Sequence, residues 1–239
     1  MGERAEVEVA SVGYRLVHWL NLIFFLTLLL TGLVLLEIEV FAYLVYPFGV
    51  PLASLLGLDA STGPITAGVQ VSRFIHRLAG LIWGVLVTTY ALYVIVSGKL
   101  EIVRALRKPL RQQAREAVAL LNHYILGREL PDDVRRGLDR HNVLAAYLTV
   151  LLVVGVILVG SSGLVMAYGN LTPAQHRLML LLHDLGFYLT VIFLIGHVFA
   201  AFHPTNTPLL KAMFADGRVS LEWAKEHMPA YLERILARR

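Results

Sequence analysis

The stretch Leu178–His203, LMLLLHDLGFYLTVIFLIGHVFAAFH, is long and apolar enough to cross a membrane, yet it carries His183 and His197. A helix rises about 1.5 Å per residue, so their fourteen-residue spacing separates them by roughly 21 Å, nearly the hydrocarbon thickness. Fourteen residues make about 3.9 turns, which brings both side chains to roughly the same face. Ionisable side chains inside a membrane are costly and indicate function. This helix therefore offers an imidazole near each membrane surface, on one stripe.

The composition is that of an integral membrane protein. Of 239 residues, 57% are hydrophobic and 16% charged, whereas a soluble domain carries about 25% charged residues. The formal charge of +4 comes from Lys and Arg at the ends of apolar segments, which indicates membrane topology and no nucleic-acid partner. The chain has no cysteine, which excludes disulfides, thiolate-bound iron–sulfur clusters and c-type haem attachment within it. Haem b, which needs only axial ligands, is not excluded.

Four apolar segments predict an all-α integral membrane protein, a bundle of four transmembrane helices. The spans are expected at about residues 15–36, 74–96, 142–166 and 178–202. We interpret the whole chain, 1–239, as a single membrane domain. The polar loop 97–140 is expected to contain an amphipathic helix around 109–126, and the polar tail 204–239 to form a short helical extension.

The segment 37–72 is apolar enough in its middle to be mistaken for a fifth span. Pro47, Gly49 and Pro51 interrupt it, and each half is too short to cross a membrane. We interpret it as an interfacial or re-entrant loop, or as a pair of short helices on the outer surface.

The distribution of Lys and Arg predicts the orientation. Loop 97–140 carries ten and tail 204–239 six, whereas segment 37–72 carries none and connection 167–177 one. By the positive-inside rule, both termini are expected to be cytoplasmic.

This topology pairs the four in-span histidines by depth. His18 and His197 are expected near the cytoplasmic ends of spans 1 and 4, and His76 and His183 near the outer ends of spans 2 and 4. A single histidine in a span is as readily explained by a hydrogen bond to a neighbouring helix. Four histidines that match two by two in depth favour two bis-histidine haem sites.

Small and basic residues near these histidines allow two interpretations each. Gly32, Gly80 and Gly186 would make room for a porphyrin, or they simply let helices pack closely. Three arginines lie within a turn of a proposed ligand: Arg15, Arg73 and Arg77. They would pair with haem propionates, or they snorkel to the lipid headgroups.

Three stretches carry a resemblance that extends over nearly the whole chain. They are RLVHW (15–19), LLHDLG…GHVFAAF of span 4, and GRVSLEWAKEHMPAYLERI (217–235) of the tail. The sequence resembles the haem b-containing gamma subunit of respiratory membrane-bound formate dehydrogenases. It is also similar to the cytochrome b subunits of nickel–iron hydrogenases and thiosulfate reductases. The Trp-Ala-Lys and His-x-Pro pattern of the tail favours the formate dehydrogenase subunit.

The resemblance implies a di-haem cytochrome b in the cytoplasmic (inner) membrane of a prokaryote. It implies His76 and His183 as axial ligands of an outer haem b, and His18 and His197 as those of an inner haem b. A molybdenum or tungsten catalytic subunit would pass electrons to an iron–sulfur subunit, and that subunit would pass them to this chain. They would pass through the outer and inner haems to menaquinone or ubiquinone near the cytoplasmic face. The substrate chemistry would lie in another chain, and the complex would be able to form a higher oligomer.

The resemblance also implies a quinone contact at the start of span 3. The family has an Asn-x-Gly pattern there, preceded by a basic residue, and this chain has Arg140-His141-Asn142-Val143-Leu144. Asn142 matches the pattern, whereas Leu144 replaces the glycine and weakens the backbone part of the contact. His141 is either an added proton or hydrogen-bond donor, or an interfacial surface histidine.

Other classes of function compete with this one. A nickel–iron hydrogenase would use a nickel–iron catalytic subunit, and a sulfur-compound reductase would reverse the electron flow. A stand-alone b561-type membrane oxidoreductase would need no partner subunit. A haem-free transporter or membrane anchor would use the histidines for protons or a metal ion.

Overall fold

The protein is almost entirely α-helical. A computed structural model describes residues 5–98 and 100–237. In chain order the elements are β1 (Glu6–Glu8), α1 (Val12–Leu36), α2 (Ile38–Val45), α3 (Gly49–Leu55), α4 (Pro64–Val96), α5 (Ile102–Leu106), α6 (Leu110–Leu126), α7 (Asp132–Arg136), α8 (Val143–Tyr168), α9 (Pro173–Phe202), a 3₁₀ turn (Pro204–Asn206), α10 (Thr207–Phe214), β2 (Arg218–Ser220), α11 (Leu221–His227) and α12 (Pro229–Leu236).

Four helices, α1, α4, α8 and α9, are long and apolar enough to cross a membrane. They confirm the predicted spans and the helical membrane fold. Large apolar side chains along them are exposed, such as Val85 at 69% and Ile195 at 66%, as expected of a surface that faces lipid.

Two spans begin five or more residues earlier than the hydropathy predicts. The helix α4 starts at Pro64 rather than residue 74, and α9 starts at Pro173 rather than residue 178. The Thr172 side chain accepts a hydrogen bond from the Gln175 backbone N–H, and Gln175 bonds back to the Thr172 backbone. This capping box, with Pro173 in the first turn, allows α9 to begin before its apolar part.

The segment between α1 and α4 contains a pair of short helices, one of the arrangements that the prolines allowed. Helices α2 and α3 meet at a bend of 67°. Together they are apolar enough for a broken span or a re-entrant loop. Ala53 of α3 packs against Ala67 and Val71 of α4. The pair is therefore anchored on the first turns of α4.

The chain divides into two compact units, one of residues 16–94 and the other of residues 1–15 with 95–239. The predicted single domain stays a prediction. In the first unit, Trp83 Nε1 on α4 donates a hydrogen bond to Asn21 Oδ1 on α1, at 2.8 Å. Such a polar link stabilises helix association where the surrounding lipid gives no hydrophobic driving force.

In the second unit, α8 and α9 pack closely through glycines. A Cβ on Gly186 would lie 2.8 Å from the Gly155 carbonyl oxygen, and a Cβ on Gly155 would lie 2.8 Å from Thr190 Cγ2. Neither position has room for a side chain. Of the two interpretations of Gly186, the structure supports helix packing.

The polar segments of the second unit form a folded cap, which includes a short sheet that the sequence did not predict. Strands β1 and β2 are antiparallel, with Val7 opposite Val219. Both valines are buried with residues of the last two helices, including Ala224 and Leu232. The predicted amphipathic helix is confirmed as α6. Its buried Glu116 accepts a hydrogen bond from the Val143 backbone N–H, 2.9 Å away, at the start of α8.

Candidate functional site

The structure places all four in-span histidines within membrane-length helices. His18 lies on α1, His76 on α4, and His183 and His197 on α9. His18 and His76 belong to the unit 16–94, and the other two histidines to the second unit. Each depth pair joins histidines of different units, so the pairing stays a prediction.

His183 contacts a hydroxyl group and a glycine of the neighbouring helix α8. Its Nδ1 lies 3.1 Å from Ser162 Oγ, and Ser162 is 1% exposed. A Cβ on the next residue, Gly163, would lie 3.2 Å from His183 Cε1. The glycine therefore leaves the edge of the imidazole ring uncrowded, and the serine fixes the direction of one ring nitrogen.

His76 has the same surroundings in the other unit. Its Nδ1 lies 2.9 Å from Thr31 Oγ1 of α1. A Cβ on Gly32, the next residue, would lie 3.4 Å from His76 Cε1. Gly32 thus lies at the level of His76. Sequence reasoning missed Thr31 and Ser162, although a hydroxyl residue followed by glycine in spans 1 and 3 is a visible signal.

The other two histidines pack against aromatic rings. The ring of His18 is edge-on to that of Trp19, with centroids 5.5 Å apart. The ring of His197 stacks on that of Phe193, at 5.4 Å and an interplanar angle of 18°. Aromatic packing restricts the orientation of both imidazoles.

The predicted propionate partners differ in their surroundings. The guanidinium of Arg15 donates a hydrogen bond to the Ala215 carbonyl oxygen. Its Nε is shielded from solvent and has no hydrogen-bond partner in the described part of the chain. A shielded donor of this kind suits a carboxylate. Arg73 and Arg77 are exposed on α4, which is compatible with both interpretations given above.

These residues fit a b haem. The chain supplies imidazoles inside apolar helices, glycines at the edges of two of them, and an arginine nitrogen that suits a propionate. Among residues 5–98 and 100–237, no group of three or more His, Asp or Glu side chains is arranged to hold a metal ion.

Asn142 lies at the start of α8, where it caps the helix. Its Oδ1 accepts a hydrogen bond from the Ala145 backbone N–H, at 2.9 Å. The hydroxyl of Tyr124 on α6 bonds to the side chains of Asn142 and Asn206, and burial raises the pKa of Tyr124. The sequence did not indicate Tyr124 or Asn206 because both lie far from Asn142 along the chain.

The neighbours of Asn142 also have partners. His141 Nδ1 lies 3.2 Å from Glu101 Oε2, and Arg140 is 3.5 Å from the same oxygen. Burial acts to raise the pKa of Glu101, but the nearby His141 side chain and the charge of Arg140 outweigh it and hold that pKa below its ordinary value. Leu144 is partly buried against Leu120 and its cluster.

Other histidines have local roles. His203 Nδ1 bonds to the Thr205 hydroxyl at 2.8 Å, and its ring lies edge-on to Tyr124, 4.9 Å away. His227 stacks on Trp223 with ring centroids 4.6 Å apart.

Four membrane-length helices, three of which carry imidazoles in their apolar parts, define a polytopic membrane protein of the cytochrome b type. The family model of prokaryotic cytochrome b561 matches residues 9–216. The chain therefore belongs to the prokaryotic cytochrome b561 family, whose members are helical membrane proteins that bind b haems. This membership sets aside the haem-free transporter or anchor. The search of curated proteins returned no match to this sequence.

The tail is tied to the residues just before Asn142 by an ion pair. Asp139 accepts hydrogen bonds from Arg234, at 2.9 Å to its Oδ1, and from the Arg140 backbone N–H at 2.7 Å. Burial acts to raise the pKa of Asp139, but the bonds to Arg234 and Arg140 and the nearby positive charges outweigh it and lower that pKa. The start of α8 and the tail are thus linked through one carboxylate.

We expect Asp139→Asn to loosen the tail in a pH-dependent way. Because the pKa of Asp139 is lowered on folding, its stabilisation is fully present above the ordinary value of 3.8 and is lost as the pH falls through the lowered pKa. The variant should therefore melt at a lower temperature than the parent protein at pH 7, with the difference vanishing once the pH falls below the lowered pKa of Asp139. Thermal unfolding in detergent across this range measures the effect.

Asp132→Asn is the matched control. Asp132 pairs with Arg135 in an exposed position, where an ion pair contributes only about 0–1 kcal/mol. Identical pH profiles for Asp139→Asn and the parent protein would contradict the role of Asp139.

Proposed function

We propose that this chain is the di-haem cytochrome b subunit of a respiratory complex of the formate dehydrogenase type. It would pass electrons from an iron–sulfur subunit to a quinone reduced near the cytoplasmic face. The chain would lie in the inner membrane with both termini cytoplasmic, as its Lys and Arg distribution predicts.

The observation that carries this choice is the tail. The family match ends at residue 216, and the stretch 217–235, which resembles the formate dehydrogenase gamma subunit, follows directly. Its signature residues have definite structural roles. Trp223 Nε1 donates to the Thr205 carbonyl at 3.1 Å, His227 stacks on Trp223, and Pro229 begins α12. The tail therefore adds a folded element to the part that the broader family describes.

Four imidazoles would hold the two haems. His76 and His183 would ligate the outer haem and His18 and His197 the inner one, with Arg15, Arg73 and Arg77 as propionate partners. Haems held by two histidines each would supply single-electron transfer. The apolar helices around the imidazoles would keep water away from them.

The quinone site would lie at the start of α8, near the cytoplasmic face. The bond from the Ala145 N–H holds the Asn142 side chain in one orientation, and Tyr124 bonds to the same side chain. Asn142 would hydrogen-bond a quinone oxygen, whether of menaquinone or ubiquinone. His141 and Leu144 would complete the site, with His141 able to donate a proton. Protons taken up on this side would separate charge across the membrane.

Two other functions remain candidates within the family. A nickel–iron hydrogenase or a sulfur-compound reductase would use the same membrane subunit with a different catalytic subunit. A stand-alone b561-type oxidoreductase would use no partner subunit, and the family match over residues 9–216 is compatible with it.

Purification of the tagged chain from its native membrane tests the proposal. We expect an iron–sulfur subunit and a molybdenum or tungsten catalytic subunit to co-purify, identified by mass spectrometry and metal analysis. A nickel–iron subunit would favour the hydrogenase instead. A haem-containing chain without partners would favour the stand-alone oxidoreductase and would contradict the proposal.

We expect His183→Ala to remove one of the two b haems and to leave the other spectrally intact, because His183 belongs to the outer pair only. A reduced-minus-oxidised spectrum with haem quantitation measures this. His176→Ala is the control, since His176 is exposed on the same helix. Retention of both haems in a folded His183→Ala protein would remove His183 from the ligands.

We expect Asn142→Ser to slow quinone reduction by roughly three- to tenfold, as loss of one hydrogen bond does, with both haems retained. Serine is a good N-cap residue and keeps the helix start, but it lacks the amide group. Stopped-flow oxidation of the reduced haems by a quinone analogue measures the rate. If Asn142→Ser behaved as the parent protein and only Asn142→Ala was slow, Asn142 would act as a cap alone.

A further inference from the structure

We propose that Thr31 and Ser162 are positioning residues that hold His76 and His183 in the iron-ligating tautomer and set the reduction potential of the outer haem. The inference rests on the proposed function, because it takes both histidines as ligands of one haem.

The first argument is that the same contact occurs in both units. In each, a helix presents a hydroxyl side chain to Nδ1 of a histidine on the next spanning helix, at 2.9 Å for Thr31 and 3.1 Å for Ser162. In each, the following residue is a glycine at Cε1 of the same ring. A contact that serves only to satisfy a polar side chain would not need to recur with the same atoms and the same glycine.

The second argument concerns the hydroxyl protons. A hydroxyl group has one proton to donate. Thr31 donates its proton to the Thr27 carbonyl oxygen at 2.7 Å, and Ser162 donates its proton to the Leu158 carbonyl oxygen. Such bonds to the preceding turn are usual for Ser and Thr within helices. With its proton used within its own helix, each hydroxyl oxygen is an acceptor in the inferred arrangement, and Nδ1 of each histidine carries the hydrogen. His183 also bonds to the Val159 backbone.

The third argument concerns the other ring nitrogen. In a neutral imidazole with hydrogen on Nδ1, the lone pair lies on Nε2. A hydrogen bond from Nδ1–H to an acceptor orients the ring and makes Nε2 more basic. A more basic ligand favours ferric over ferrous iron. Loss of either hydroxyl should therefore raise the midpoint potential of the haem concerned.

Redox titration of the purified complex, followed through the b-haem absorption, tests the inference. We expect Thr31→Val and Ser162→Ala each to shift one haem to a higher midpoint potential, the same haem that His183→Ala removes. The other haem should titrate as in the parent complex. Thr31→Ser, which keeps the hydroxyl, should restore the parent potential. The ferric low-spin EPR signal of the shifted haem should change in the same variants.

Two neighbouring residues provide matched controls. Thr27 and Ser161 also bond to the preceding turn, at 2.8 Å to the Ile23 carbonyl and 2.6 Å to the Ile157 carbonyl. Thr27→Val and Ser161→Ala remove these bonds from the same two helices and should leave both potentials unchanged.

The outcomes separate the inference from the function on which it rests. Unchanged potentials in Thr31→Val and Ser162→Ala, in a complex with two b haems, would overturn the positioning role alone. Equal shifts in the control variants, or in Thr31→Ser, would overturn it too, because bulk packing would then be the cause. A parent complex without two b haems would overturn the proposed function and, with it, this inference.

Discussion

An imidazole buried in hydrocarbon needs polar partners, and the rest of the site follows from how this chain provides them. Transfer of a polar group into an apolar medium without a hydrogen bond costs roughly 2–7 kcal/mol. Ser162 and Thr31 each supply a partner to one ring nitrogen, at 3.1 Å and 2.9 Å. In the proposed function, haem iron would be the partner of the other nitrogen. The hydroxyl groups that lower the cost of placing the histidines in the membrane are thus also suited to orient their rings as ligands.

Close packing of α8 on α9 is what brings a hydroxyl partner to His183. Gly155 and Gly186 bring α8 and α9 into contact through their backbones, which places the serine of one helix within reach of the histidine of the other. At the end of α8 that carries Asn142, buried Glu116 and the Asn142 side chain satisfy the first backbone N–H groups. The proposed quinone contact is therefore also part of the start of a helix, and a variant must separate the two roles.

Hydropathy was sufficient to predict the spans because a membrane admits few solutions for an apolar segment of this length. The proline and glycine breaks likewise predicted an interruption in segment 37–72, and left open whether it is an interfacial or re-entrant loop or a pair of short helices. The ends were less predictable, since a capping box at Thr172 and the packing of α3 on α4 extend helices beyond their apolar parts. The pairing of Val7 with Val219 joins residues from opposite ends of the sequence, and no local pattern encodes it.

In the candidate site, too, some residues could be predicted from the sequence and others depend on how the helices pack. The spacing of histidines along the sequence made His18, His76, His183 and His197 the candidate ligands, because helical periodicity relates sequence to depth, and their ligation stays a prediction. Their hydroxyl partners and the contact of Tyr124 with Asn142 depend on which faces of separate helices meet. One sequence does not specify those faces. The glycines were ambiguous for the same reason, and only the atoms near each missing Cβ distinguish Gly32 beside an imidazole ring from Gly186 in a helix contact.

The central claim is that four histidines of this chain hold two b haems. The most direct test is the haem content of the purified chain, measured as the pyridine haemochrome and divided by protein from amino-acid analysis. The account predicts two b haems per chain, non-covalently bound and fully extracted by acidified acetone. A value of one or none in the folded, membrane-extracted protein would contradict it.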